Sequence, residues 1–457
     1  MKRREFLMSS GAFCLLGSLN LLPFSCKSFN KRKVKITNAL SAVEKEPLIQ
    51  PFGFKGGYLT ELWQSVVRLT GSGGYHTIGL GTQSVLWSDS EIFQNNSETD
   101  GNRMMYAITE RALEMIRGMD FDNPISLQEN ILEEIHAFGK KITGKADLRK
   151  TFTLNALVPV DNALWILYAR ENGISEFDRM IPEQYHSALS QRHEKIASIP
   201  LISYGTSPEE LKEIAGSGYF FLKIKIGQSG NQKEMLEKDK RRLSEIHRAL
   251  SHFQTPYTEN GKLVYYLDAN GRYENEETFL SFLEHADKIG ALDQIAIIEE
   301  PYPEELELDV TGIPVRLASD ETAHTEADAL KRVQMGYRAF ALKPIAKTLS
   351  MTLKIAKTAK EHEIPCFCAD LTVNPVLVEW NKSIAARLNT FPGLDDIGLL
   401  ESNGQQNYLN WNKMMTHFPA NKKPWVKPEN GVYSTNDEFF RTGGGIFEDL
   451  KYYEGLF

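Results

Sequence analysis

The chain has 457 residues and a formal net charge of -8, with 42% hydrophobic and 25% charged residues. It is therefore long enough for a barrel plus a second domain and apolar enough to bury a core, which excludes a disordered chain. The acidic balance and scattered basic residues exclude a surface that binds by releasing counterions from a phosphate backbone, so nucleic acid is not an expected partner.

Residues 1–28 differ from the rest: Lys2, Arg3 and Arg4 precede Phe6, Leu7 and an apolar run over residues 11–24. This reads as an export signal, and Arg3-Arg4 with Phe6-Leu7 resembles a bacterial twin-arginine signal. The expected location is then outside the cytoplasm, in the periplasm or held at the membrane as a lipoprotein. The apolar run is shorter than the ~20 residues of a spanning helix, which weighs against an anchor helix. Ser25-Cys26 offers a lipoprotein cleavage site with Cys26 as the anchor, although Pro23 and Phe24 fit that pattern poorly. Cys14 and Cys26 fall in this segment, leaving Cys366 and Cys368 in the body. Two residues apart on one strand face and without His or Cys neighbours, they are expected to pack a core rather than form a disulfide or a zinc site.

From residue 34 to 89 the pattern alternates and is rich in turns: Val34-Lys-Ile-Thr, Trp63-Gln-Ser-Val-Val-Arg-Leu and Tyr75-His-Thr-Ile-Gly-Leu. This predicts a three-stranded antiparallel meander. Helical spacing follows near residues 102–118, 126–143 and 155–171. Past residue 199, short β-rich runs alternate with amphipathic stretches. They are Pro200-Leu-Ile-Ser-Tyr, Phe220-Phe-Leu-Lys-Ile-Lys-Ile, Leu263-Val-Tyr-Tyr-Leu-Asp, Ile295-Ala-Ile-Ile-Glu, Val315-Arg-Leu-Ala-Ser-Asp, Ala339-Phe-Ala-Leu-Lys, Pro365-Cys-Phe-Cys-Ala-Asp and Ile397-Gly-Leu-Leu-Glu. Eight strands separated by helices predict a parallel barrel. The expected fold class is α/β, a modified (β/α)8 TIM-type barrel with an N-terminal α+β capping domain. Residues 29–195 form the cap, 196–404 the barrel, and 405–457 a tail without strand rhythm that folds back on the cap. Residues 251–262 read as a surface insertion.

Nearly every barrel strand ends in a polar or charged residue, where this architecture places its active site. Lys223 and Lys225 alternate with Ile224 and Ile226, so both ammonium groups share one face; side by side in a low dielectric they would lower each other's pKa and supply a base. Read alone, Lys-x-Lys also fits a solvated strand. Asp268, Glu299 and Asp320 end the next three strands, and hard oxygen ligands without His or Cys suit magnesium or manganese. Any one of them could instead cap a helix. Asn270 follows Asp268 by two residues and either orients the site or closes an Asx turn. Lys343 ends the sixth strand, across the barrel from Lys225.

In order, Phe-Leu-Lys-Ile-Lys-Ile-Gly, Leu-Asp-Ala-Asn-Gly, Ile-Ile-Glu-Glu-Pro, Ala-Ser-Asp-Glu-Thr and Ala-Leu-Lys-Pro resemble the muconate-lactonizing and dipeptide-epimerase branch of the enolase superfamily. The resemblance spans residues 33–404, including Val160-Asp161-Asn162-Ala163-Leu164-Trp165. It implies one divalent ion, magnesium or alternatively manganese, on Asp268, Glu299 and Asp320. It also implies acid/base roles for Lys225 and Lys343 and a tuning, carboxylate-holding role for Lys223. Glu321, Asp370, Glu401 and Asn270 become candidate substrate contacts, as do Phe54, Lys55 and Trp87 in loops similar to those that cap the family's substrates.

Departures concern the substrate. The family's dipeptide epimerases carry Asp-x-Asp at the eighth strand, where this chain has Glu401-Ser402-Asn403-Gly404. The family's Lys-x-Gly-Gly is here Lys347-Thr348-Leu349, and Asp370 stands where members vary. The expected activity is abstraction of a proton next to a carboxylate, as an isomerase epimerising a dipeptide or N-substituted amino acid. The alternative is a lyase or cycloisomerase of the o-succinylbenzoate synthase or dehydratase kind. A non-catalytic carboxylate-binding barrel is a third class. A small carboxylate-bearing substrate is the expected partner, and self-association into a homo-oligomer is left open.

Overall fold

The computed structural model describes residues 32–54 and 57–457. The expected export segment 1–28, with Cys26, and Lys55 lie outside the described residues. Strands β1 (Val34–Phe54), β2 (Gly57–Gly71) and β3 (His76–Thr82) form the expected antiparallel meander. A two-residue strand, β4 (Asp120–Phe121), adds to its edge in the order β3-β2-β1-β4. Helices Glu98–Ile116, Pro124–Thr143 and Lys150–Glu171 complete this unit.

Helix Lys150–Glu171 is buried from Thr151 to Ala169 and serves as the pivot of the cap. It lies so close to β3 that a Cβ on Gly79 would stand 2.0 Å from the Pro159 carbonyl oxygen, so only glycine fits there. The same helix holds the chain beyond β3. Asn155 donates to the Thr82 carbonyl at 3.0 Å and accepts from the Ser84 N–H at 2.8 Å. That clamp delivers the short helix Val85–Ser88, with Trp87, toward the barrel.

The barrel strands are β5 (Lys195–Ile199), β6 (Leu201–Ile202), β7 (Phe221–Lys225), β8 (Val264–Asp268), β9 (Ile295–Glu299), β10 (Leu317–Ser319), β11 (Ala339–Leu342), β12 (Cys366–Cys368) and β13 (Gly398–Glu401). Neighbours from β6 to β13 pair in parallel and in sequence. Pro200 alone separates β5 from β6; β5 pairs with β13 and β6 with β7, so one broken strand closes the ring. Proline has no N–H for the ladder, which is why the break falls there. Capping boxes at Ser207/Glu210, Asn231/Glu234 and Thr325/Asp328 start three of the outer helices soon after their strands. Inside the barrel Phe221, Tyr266, Phe367 and Phe391 meet edge to face, with ring centroids 5.1–6.4 Å apart, and plug the interior beneath the Lys223 layer. Cys366 and Cys368 are buried free thiols, as expected.

Two expectations change. No helix joins β9 to β10: Pro301, Pro303 and Pro314 interrupt the segment, and Leu306, Leu308, Val310, Ile313 and Val315 pack on the barrel as irregular chain. The tail carries a strand, β14 (Val432–Ser434), which pairs antiparallel with β5. Gly431, at φ +74, permits this because a Cβ there would stand 2.5 Å from the Gly218 carbonyl oxygen. The tail therefore binds both units. Gln64 donates to the Tyr408 hydroxyl at 2.8 Å and Arg170 to Asp449 at 2.6 Å, while Lys382 donates to the Trp425 carbonyl at 2.8 Å. Among the described residues no helix is long and apolar enough to cross a membrane.

Candidate active site

At the carboxyl ends of the barrel strands a cleft of about 520 Å³ is lined by Lys223, Lys225, Asp268, Asn270, Glu299, Asp320, Glu321, Lys343, Asp370 and Glu401. Leu48, Leu59, Leu62 and Trp87 close it from the cap side, with Leu201 and Leu371 from the barrel. Strand alternation puts Lys223 and Lys225 on the inner face of β7. The Lys223 ammonium lies 3.1 Å from Asp268, 3.4 Å from Glu299 and 3.1 Å from Glu401, with the Tyr266 ring beneath it at 4.8 Å. It thereby ties four strands together. Lys225 donates to Asp268 at 2.6 Å and to Asn270 Oδ1 at 2.7 Å.

On the opposite side, β11 ends at Leu342, and the buried Lys343 that follows donates to Asp320 Oδ2 at 2.5 Å. Trp87 supports this pair: its Nε1 donates to the same oxygen at 3.2 Å, and the Lys343 ammonium sits 4.7 Å from its ring centroid. A second buried lysine, Lys347, donates to the Asp320 carbonyl at 2.5 Å and lies 3.7 Å from its carboxylate. Lys347 stands out in the sequence only as a departure from the family pattern. The local signal for it is an ammonium among the apolar neighbours Ile345, Ala346 and Leu349.

Burial and charge compete at each group. Burial alone would lower Lys223, but Asp268, Glu299 and Glu401 outweigh it and hold the ammonium well above its usual range. At Lys223 the depression expected from burial is thus overruled by three carboxylates. Lys343 is raised in the same way, chiefly by Asp320 against the effect of burial. Lys347 is the amine held low, because its burial exceeds what Asp320 returns. Burial pushes Glu299 up to about 8, and burial together with Glu401 raises Asp370 to about 6. Asp320 is held at about 2 by Lys343, Lys347 and Lys223 in spite of its burial.

One carboxylate oxygen each from Glu299, Asp320 and Glu321 lies within 4.8 Å of the others, and all three residues are buried. Asp268 is not in that group; its Oδ2 is engaged by Lys223 and Lys225. Glu321, expected as a substrate contact, belongs to this group. The residues fit a hard divalent cation. Six carboxylates face four lysines, leaving surplus negative charge, and Asp320 Oδ1 receives no hydrogen bond among the described residues. Asp370 and Glu401 are brought together through backbone. Glu401 accepts from the Asp370 N–H at 3.1 Å, and Asp370 from the Asn403 N–H at 2.8 Å. Phe54 ends β1, at the tip of the cap hairpin.

No protein-family profile and no curated protein matches the chain in sequence. In structure it is similar to an N-succinyl Arg/Lys racemase from Bacillus cereus, with 15% identity, 92% of this chain and 98% of that one covered, and a TM-score of 0.63. It is similar to the L-Ala-D/L-Glu epimerase from Bacillus subtilis, with 18% identity, 81% and 90% covered, and a TM-score of 0.59. A dipeptide epimerase from Enterococcus faecalis, complexed with Mg and the dipeptide L-Leu-L-Tyr, gives 17%, 82%, 92% and 0.59 in the same order. The chain thus shares the fold of the mandelate racemase and muconate lactonizing enzymes of the enolase superfamily.

Proposed function

We propose that the protein is a metal-dependent isomerase that moves a proton on and off the carbon next to a carboxylate, epimerising a dipeptide or N-acylated amino acid. The observation that carries this reading is the placement of Lys225 and Lys343 on β7 and after β11, four strands apart around one ring, with the carboxylates of Glu299 and Asp320 between them.

Removing such a proton puts a second negative charge on the substrate carboxylate, so the site must supply positive charge where that charge develops. A magnesium ion held by Glu299 and Asp320, with Asp268 or Glu321 as third ligand, would supply part of it by neutralising the surplus acid and polarising the carboxylate. Lys223, charged and fixed by three carboxylates, supplies another part. One lysine, as free amine, accepts the proton at Nζ; the electron pair left behind spreads into the carboxylate. The ammonium on the opposite side delivers its own proton to the same carbon, which inverts it. Trp87 and the leucines of the cap keep water from the carbanion.

The ion pair of Lys343 with Asp320 and its position over Trp87 favour a second reading, in which Lys343 is a fixed cation and the enzyme is a lyase or cycloisomerase. Dipeptides and N-acyl amino acids incubated with the protein and magnesium in deuterated water decide between them by mass spectrometry and chiral analysis. Deuterium uptake with inversion supports epimerisation; uptake with product loss supports the lyase. Absence of exchange from every carboxylate offered overturns both.

A further inference from the structure

The cleft does not end at its reacting residues. Asn270, which holds Lys225, also lines a second cavity of about 1050 Å³ that opens outward between Tyr58 and Tyr204 and includes Arg272. Arg272 lines a third, neighbouring cavity too, again shared with Asn270. It is half-buried, and among the described residues its guanidinium makes no ion pair and no hydrogen bond; only its backbone is engaged, the carbonyl by Gln232 and the N–H by the Ala269 carbonyl. Arg149, the other arginine there, is paired with Glu304 at 3.0 Å and Glu305 at 3.5 Å.

Tyr204 is fixed beside this arginine. Its hydroxyl donates to the Ile226 carbonyl at 2.9 Å, which pins the ring at the mouth while 40% of the residue stays exposed. Arg272 and Tyr204 line the same cavity, together with Gly227. A Cβ on Gly227 would stand 2.8 Å from the Arg272 Cβ, so the loop beneath is tightly packed and the arginine stem is held. A held, unpaired guanidinium beside an open aromatic face is a site for a planar anionic group, since its forked donors match a carboxylate.

Building on the proton-transfer reading above, we infer that Arg272 selects the substrate. The preferred substrate carries, on the side facing the mouth, an extension that lies along Tyr204 and ends in a carboxylate bound by Arg272. The reacting α-carboxylate faces the lysines, and the second, distal carboxylate faces the arginine. Arg272 acts on binding and does not touch the reacting carbon.

An isosteric pair tests this: an amino acid N-acylated with glutarate, and the same compound with the distal carboxylate converted to its amide. The holoenzyme with magnesium should show a KM about tenfold lower for the acid, with similar kcat for the two. R272A should bring the acid's KM up to the amide's, and R272K should retain part of the preference. Equal KM values for acid and amide, or a preference that survives R272A, overturns the inference. Calorimetric binding of both compounds to wild type and R272A reads Arg272 apart from turnover. If neither compound exchanges its α-proton, the proton-transfer reading fails for this class. An acid-over-amide binding preference lost in R272A still upholds the arginine's role, and equal binding overturns it.

Discussion

Lys225 donates to Asn270 Oδ1 at 2.7 Å, and the amide of Asn270 reaches Glu321 Oε1 at 3.4 Å, so one side chain joins a candidate base to the candidate metal group. On the far side Lys343 and Asp320 are joined directly. The two lysines sit in unlike surroundings: Lys225 is half-buried and shared between Asp268 and Asn270, whereas Lys343 is buried between Asp320 and the Trp87 ring.

That difference makes the stereochemical roles separable. K225A should abolish deuterium exchange from one epimer while the other still exchanges at Lys343, and K343A should show the converse. Loss of a positioned base typically costs ~100- to 10,000-fold in rate, which exchange followed by proton NMR resolves easily. Exchange from both epimers in K343A would assign Lys343 as a bystander cation and put the lyase reading first.

Metal binding can be dissected by calorimetric titration of magnesium into E299Q, D320N, D268N and E321Q. The first two should lose most of the affinity, since both belong to either ligand set. D268N and E321Q separate the strand-end triad from the group that stands together in the structure, and the larger loss identifies the third ligand. Undiminished binding in E299Q and D320N together would remove the metal from this cleft.

Asp161 gives a pH test away from the site. It is buried on helix Lys150–Glu171, where burial pushes its carboxyl up to about 6, partly offset by hydrogen bonds from Ser350. A folded value above the unfolded one means that stability is fully present below about pH 4 and is lost as pH rises through 6. A rise of that size corresponds to roughly 3 kcal/mol. D161N should therefore have a flatter melting temperature than wild type between pH 4 and 7. Parallel curves would show that Asp161 does not titrate in that range.

Export rests on residues 1–28, and the proposal is that the twin-arginine route carries the chain. Changing both Arg3 and Arg4 to lysine should leave the precursor in the cytoplasm, read by cell fractionation and N-terminal sequencing. Unchanged fractionation would exclude that route.

Local pattern by itself determined much of this protein. Alternation with a period of two put Lys223 and Lys225 on one face, and strand ends placed Asp268, Glu299, Asp320 and Lys343 around one rim, because strand geometry and barrel order need only near neighbours in the chain. What only the tertiary structure decided depends on groups far apart in sequence. Trp87 meets Asp320 across 233 positions. Lys347 is buried against the Asp320 carbonyl and 5.9 Å from the Trp87 ring, and Glu321 joins Glu299 and Asp320 in one carboxylate group while two lysines engage Asp268. The state of each charge follows from which opposite charges the fold brings within about 4 Å, and that distance is set by packing rather than by spacing along the chain.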